Sequence, residues 1–300
     1  GYNAMNDNTT GGYNTAVGYA SLDACTTGSN NTACGYQALF NNTASNNTAV
    51  GLHALMNNST GTYNTGIGRS ALDQNTTAHR NTAVGYFALY ANTTGPANTA
   101  VGKQALYNNT TGTRNTAVGE SALYENTTSS NCTAIGWESA KTANGATDTT
   151  AVGAYALQNV TTGDYNTAVG QAAGVQNTTG HSNTYIGLGA ARDATTCTHN
   201  TCVGKDAGHN ITTAERNTLI GYNAGFNLTT GDGVGNGRNI AIGDDTQFAA
   251  GDDHRAIVIG HNTTGKGDET ALLRGTSGVY NLSLIHISEP TRPERIGYCV

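Results

Sequence analysis

The chain has 300 residues, of which 37% are hydrophobic and 11% charged, with a formal net charge of -6. Gly (40), Thr (49) and Asn (36) fill 125 of the 300 positions, leaving little apolar material for a conventional core. This balance argues against a nucleic-acid-binding surface and against charge-driven disorder, and no apolar run approaches the roughly 18 residues of a membrane span. Gly1-Tyr2-Asn3-Ala4 is not a basic and apolar leader, so any export signal is expected outside this segment.

Self-similarity decides the architecture. A glycine closes each Asn-Thr-x-x-Gly block at Gly18, Gly35, Gly51, Gly68, Gly85, Gly102, Gly119, Gly136, Gly153, Gly170, Gly187, Gly204, Gly221, Gly243 and Gly260, with Gly1 as a truncated first copy. Thirteen of the fifteen spacings are 17 residues. The exceptions are a one-residue deletion before Gly51 and a five-residue insertion before Gly243. The consensus is N-T-A-V-G-x-x-A-L-x-x-N-T-T-G-x-x.

Within the unit, the triplet before each glycine (Thr15-Ala16-Val17, Thr82-Ala83-Val84, Thr116-Ala117-Val118) places β-branched residues two apart. It is read as a short strand with Thr and Val on one face and Ala on the other. A second extended segment is expected around Ala38-Leu39, Ala88-Leu89, Ala105-Leu106 and Ala156-Leu157. Thr110-Thr111-Gly112 and Thr178-Thr179-Gly180 are read as return corners. The unit is too short for a helix pair and lacks a helical stripe. The expected fold is therefore all-β, a parallel β-solenoid with one 17-residue coil per repeat. Some fifteen coils at about 4.8 Å each make a rod on the order of 70 Å long.

Substitution patterns orient the side chains. The residue seven after the glycine is usually Asn (Asn8, Asn58, Asn75, Asn92, Asn109, Asn126, Asn177) and otherwise Val160, Ile211 or Leu228. It is read as an inward position where stacked amides bond to copies above and below. The two residues after each glycine (Tyr86-Phe87, Lys103-Gln104, Glu120-Ser121, Trp137-Glu138, Lys205-Asp206) vary freely and are placed outside. Val, Leu and Ala form a small buried set per coil, and a free Ala face offers close approach along the rod. Parallel homotrimerisation through that face is expected, with end-to-end stacking as the alternative.

The regular repeats occupy 1–231, followed by a degenerate region, 232–281, that opens with a Gly/Asp-rich insertion. Asp232, Asp244, Asp245, Asp252 and Asp253 raise a Ca²⁺ site, but Val234 and Gly243 fall where an EF-hand loop needs ligands, so a solvated bulge is preferred. Gly260-His261-Asn262-Thr263-Thr264-Gly265-Lys266-Gly267 approaches a phosphate loop but has Gly267 where Ser or Thr holds Mg²⁺. Cys25, Cys34, Cys132, Cys197 and Cys202 occupy five different repeat positions without zinc spacing. Cys197 and Cys202 are close enough in sequence to meet across a corner. Eight His are scattered out of register, and sequons such as Asn92 and Asn262 follow from the repeat itself. No catalytic, cofactor or metal site is expected. Exposed Tyr19, Tyr36, Tyr86, Tyr107 and Tyr124 offer a strip for sugar stacking, weighed against ordinary surface placement.

The block Asn-Thr-Ala-Val-Gly-Tyr-x-Ala-Leu with the spacer Asn-x-Thr-Thr-Gly resembles repeats of bacteriophage tail-fibre proteins. It is similar, more distantly, to the head repeats of trimeric autotransporter adhesins, whose repeat is shorter. The resemblance covers residues 1 to about 265. It implies a trimeric β-roll fibre, extracellular or on a virion surface, that reaches a cell-surface glycan or receptor. Residues 282–292, Leu282 to Arg292, resemble the translation of a transposase adapter used in DNA library preparation. On that reading 282–300 is foreign to the protein, Cys299 carries no meaning, and native sequence continues beyond both ends. The expected function is a non-enzymatic fibre or adhesin shaft. Ice binding through paired corner threonines (Thr93-Thr94, Thr127-Thr128) and glycan binding are the alternatives; a β-helix hydrolase is disfavoured by sparse carboxylates out of register.

Overall fold

A computed structural model describes residues 1–229, 237–275 and 278–282. The triplets before the repeat glycines form thirteen three-residue strands, from Thr15–Val17 to Thr218–Ile220. Each pairs in parallel with its copy one coil on, Thr82 opposite Thr99, Ala83 opposite Ala100 and Val84 opposite Val101. Ile240–Ile242, Ile257–Ile259 and Ala271–Gly275 continue the same stack past the insertion. Gly278–Leu282 then pairs antiparallel with Ala271–Gly275. The molecule is an all-β parallel solenoid of about 15 coils. Most of the Gly/Asp-rich insertion (residues 231–236, with Thr230 before it) and the tail at 283–300 lie outside the described residues.

Strand polarity is the reverse of the expected one. Ala83, Ala100 and Ala117 are fully buried, whereas Thr and Val on either side of them face outward. The Ala face is sealed within its own coil, so it offers no surface to another chain. The physical reason is the narrow interior. Leu, four residues after each glycine, reaches across the coil and is itself fully buried, as at Leu55, Leu89 and Leu106. At Gly66, which replaces the strand Ala, an added Cβ would lie 3.2 Å from Leu55 Cγ. Strand residue and Leu therefore share one fixed volume, and they exchange sizes along the rod. Tyr185 in the strand position is matched by Gly174 in the Leu position, and Leu219 by Gly208. A Cβ on Gly174 would sit 2.6 Å from Tyr185 Cδ2, and one on Gly208 2.7 Å from Leu219 Cδ1. Interiors are close-packed, so a larger residue on one wall requires a smaller one opposite.

The Ala-Leu stretch is a run of tight turns rather than the expected second strand. Gln104 and Leu106 have φ of 57° and 51°, and Arg114, further along the coil, has 56°. The same three places recur in the left-handed region in nearly every coil. A left-handed Leu is unfavourable in isolation. Here its amide is held by the neighbouring coil, Leu106 N–H donating to Ala122 O at 3.0 Å and Leu89 N–H to Ala105 O at 2.9 Å. Among the described residues, a second strand pair appears only near the end, Thr246–Gln247 with Thr263–Thr264. That strand lies inside the stretch compared above with a phosphate loop.

The turn geometry also corrects the placement of the two residues after each glycine. The first is exposed (Tyr86, Lys103, Glu120, Trp137, Lys205), but the second is half-buried (Phe87, Gln104, Glu138, Asp206) or, at Ser121, buried. A positive φ at the second residue tucks its side chain along the rod. The repeat glycines from Gly18 to Gly260 have φ between 123° and 155°. They stack so closely that a Cβ on Gly102 would lie 2.6 Å from Gly119 O. Only glycine meets both conditions.

Candidate functional surface

Inside the coil, two asparagine columns hold the corners. Asn58, Asn75, Asn92, Asn109, Asn126 and Asn177 are fully buried. Nδ2 of Asn75 donates to Asn58 Oδ1 at 2.7 Å, that of Asn92 to Asn75 at 2.9 Å, and that of Asn109 to Asn92 at 2.8 Å. Each amide also caps the carbonyl three residues on, as Asn92 does with Gly95 O at 3.0 Å. Asn126 and Asn177 keep that cap, to Ser129 O and Gly180 O, without the coil-to-coil bond. Asn8 is only half-buried, while Val160, Ile211 and Leu228 are buried in the same column.

The second column is the Asn of Asn-Thr-Ala-Val, which sequence reasoning missed. Oδ1 of Asn98 accepts the Asn115 amide at 2.9 Å, and its Nδ2 donates to Gly112 O at 2.8 Å in the next coil. Asn81, Asn64, Asn200 and Asn217 accept or donate in the same register. The available signal was the alternation: Asn and Ala two apart point in, Thr and Val two apart point out.

The outward columns are what another molecule would meet. The strand threonines from Thr15 to Thr218 form one, and Val or Ile two residues on forms the next, with Val101 37% and Ile135 40% exposed. Among the described residues, none of these thirteen Thr hydroxyls has a hydrogen-bond partner in the chain. The corner threonines differ. Thr93 Oγ1 donates to Thr110 O at 3.2 Å and Thr110 Oγ1 to Thr127 O at 3.0 Å, so in most corner pairs the first member is spent on its neighbour.

Aromatic columns run along the turn side. Tyr2, Tyr19 and Tyr36 stack in series, as do Tyr90, Tyr107 and Tyr124, with Tyr107 and Tyr124 centroids 5.2 Å apart and 7° between planes. Of the tyrosines singled out from sequence as exposed, Tyr19, Tyr36 and Tyr86 are so, whereas Tyr107 and Tyr124 are half-buried by their stacking; Tyr19–Tyr36 and Tyr107–Tyr124 are brought together, while Tyr86 packs on Phe87. Two shallow grooves cross the coils: one of about 480 Å³ over Tyr63, His79, Arg80 and Arg114, the other of about 420 Å³ over Tyr155, Gln171, Gln176 and Arg192.

Cys197 and Cys202 are free and buried, as are Cys25 and Cys132, whereas Cys34 is exposed on the strand face. Burial pushes the Cys197 thiol up to about 12 and Cys132 to about 11. Burial likewise raises Cys202 and holds the Tyr185 phenol well above its ordinary value. Among the described residues, no group of three or more His, Cys, Asp or Glu gathers to hold a metal ion. No helix there is long and apolar enough to cross a membrane. Of the aspartates considered for Ca²⁺, Asp232 lies outside the described residues, while Asp244, Asp245, Asp252 and Asp253 lie within them.

These features define a parallel β-solenoid built from 17-residue repeats. No protein family, curated protein or solved structure matches the chain in comparison.

Proposed function

We propose that the chain is a shaft segment of a non-enzymatic extracellular fibre or adhesin, of the phage tail-fibre kind that its repeats resemble. The observation carrying this reading is the parallel stack, in which backbone bonds tie each coil to its neighbours and asparagine side chains reinforce most of the junctions. Thr99 N–H donates forward to Asn115 O and Gly102 N–H back to Val84 O, each at 2.8 Å. Such a rod transmits position over its length while its outer turn residues vary freely. Assembly as a homotrimer or by end-to-end stacking belongs to the same proposal. Because the Ala columns are sealed, copies lying side by side would meet through an outer face.

A glycan as the cell-surface partner is favoured by the stacked tyrosines, whose rims carry a row of phenol hydroxyls that can bond sugar hydroxyls. Electron microscopy of the purified chain is expected to show stiff rods, single or bundled. Binding to immobilised glycans is expected to fall when Tyr107 and Tyr124 are both changed to Ala. Compact particles would overturn the shaft, and undiminished binding would overturn the tyrosine contact.

A further inference from the structure

The strand face carries a feature that a plain shaft does not require. Thirteen threonines occupy one column, one per coil, while the exposed residue after each repeat glycine varies in size and charge. The pairing is in register throughout, Thr opposite Thr from Thr15–Thr32 to Thr201–Thr218. The companion column is Val or Ile except at Cys34, so the two columns hold no charge. Successive stacked tyrosines on the turn side keep their planes within 7° to 13° of one another.

We propose that this Thr-x-Val face binds the surface of ice. First, the strand hydroxyls are free of protein partners; at the corners the first hydroxyl of the pair (Thr93, Thr110) bonds a backbone carbonyl and only the second (Thr94, Thr111) is free, so the strand column is the one whose free hydroxyls run beside an uncharged Val/Ile column. Second, threonine is stiff at χ1, which fixes both its hydroxyl and its methyl group. Third, the spacing is a lattice rather than a scatter. Strands repeat at about 4.8 Å along the rod and alternate side chains at about 6.6 Å across it. The first distance is close to the oxygen repeat along the a axis of hexagonal ice. Methyl groups seated beside ordered water, with a hydroxyl anchoring each row, would hold a solid lattice over some twelve intervals, where a single Thr holds nothing. A second copy of this chain is the competing occupant. It fits less well, because a dry contact would bury thirteen hydroxyls whose partners it must supply in register. The inference goes beyond the shaft reading, since a rod with or without this activity remains a rod. It also relocates the ice-binding alternative from the corner pairs to the strand.

The test uses the full chain. Thermal hysteresis, crystal shaping and enrichment in slowly grown ice are measured for the wild type, for Thr99→Lys with Thr116→Lys, and for the corner control Thr94→Lys with Thr111→Lys. The wild type and the corner control are expected to show all three effects and the strand pair to lose them, with unchanged circular dichroism. Should the lysine pair fail to fold, Thr99→Ser with Thr116→Ser keeps the hydroxyls but frees χ1, and is expected to reduce hysteresis. Absence of hysteresis and ice enrichment in the wild type would overturn the proposal, as would hysteresis undiminished in the folded strand variants. A wild-type oligomer that the strand pair dissociates, with no effect on ice, would instead assign the face to a second copy.

Discussion

Replacing Asn98 by Asp exchanges one amide for a nearly isosteric carboxyl inside the missed asparagine column. Asn98 is fully buried. Its Oδ1 accepts the Asn115 amide, which an Asp oxygen can still do, but its Nδ2 donates to Gly112 O at 2.8 Å and Gly95 O at 3.1 Å. A carboxylate oxygen facing two carbonyl oxygens is repelled, whereas a neutral carboxyl restores one donor. The folded state therefore holds the proton, and the Asp pKa is raised above its unfolded value of about 3.9. The sign follows from linkage: folded chains bind more protons, so the variant is closest to wild type below about pH 3.9 and loses stability as pH rises toward the folded pKa. The slope is about 1.4 kcal/mol per pH unit, and the loss reaches about 4 kcal/mol by pH 7 if the carboxyl stays protonated. Thermal unfolding of variant and wild type at pH 4 and pH 7, followed by circular dichroism, reads this difference. Hydrogen exchange localises it to the coils around Asn81, Asn98 and Asn115. A difference from wild type that does not grow with pH would refute the inward, carbonyl-facing amide.

Gly102→Ala is expected to cost about 2–4 kcal/mol, because the new Cβ meets a backbone carbonyl at a strained φ; an unchanged melting temperature would contradict the glycine column. Tyr185→Ala should destabilise by about 3–5 kcal/mol through a cavity. Adding Gly174→Leu restores the consensus pair, so the double variant should be more stable than either single one by more than about 1 kcal/mol in a calorimetric double-mutant cycle. Simple additivity would count against a shared volume. Peptide-resolved alkylation at pH 8 should modify Cys34 while leaving Cys25, Cys132 and Cys197 unreacted, since burial keeps their thiols protonated. Rapid labelling of Cys197 in the folded chain would contradict its place in the core.

The stack itself was legible because a fixed 17-residue spacing admits one supersecondary unit per repeat, and Thr-Ala-Val is short, β-branched and closed by glycine. The inward asparagines from Asn58 to Asn177 were legible for a different reason: a polar residue that exchanges with Val160, Ile211 and Leu228 must share their environment. The inversion of the strand came from weighting Val as core and Ala as filler. In a coil this narrow the small residue is the one that fits, and the exchange of Leu/Ala for Gly/Tyr at Gly174 and Tyr185 recorded that in the sequence. The turn at Ala105-Leu106 was not legible, because its left-handed Leu depends on a hydrogen bond from the next coil rather than on local preference. Nor could the free strand hydroxyls be told from the bonded corner ones, since both are simply Thr until the coil is closed.

Whether Ala points in and Thr and Val point out underlies the core, the columns and the proposed ice-binding face alike. Single cysteines at Thr116, Ala117 and Val118 test it directly, each labelled with a small maleimide in the folded chain and quantified by peptide mass. Rapid labelling at 116 and 118 with protection at 117 is the predicted pattern. Rapid labelling at 117 with protection at its two neighbours would contradict the account.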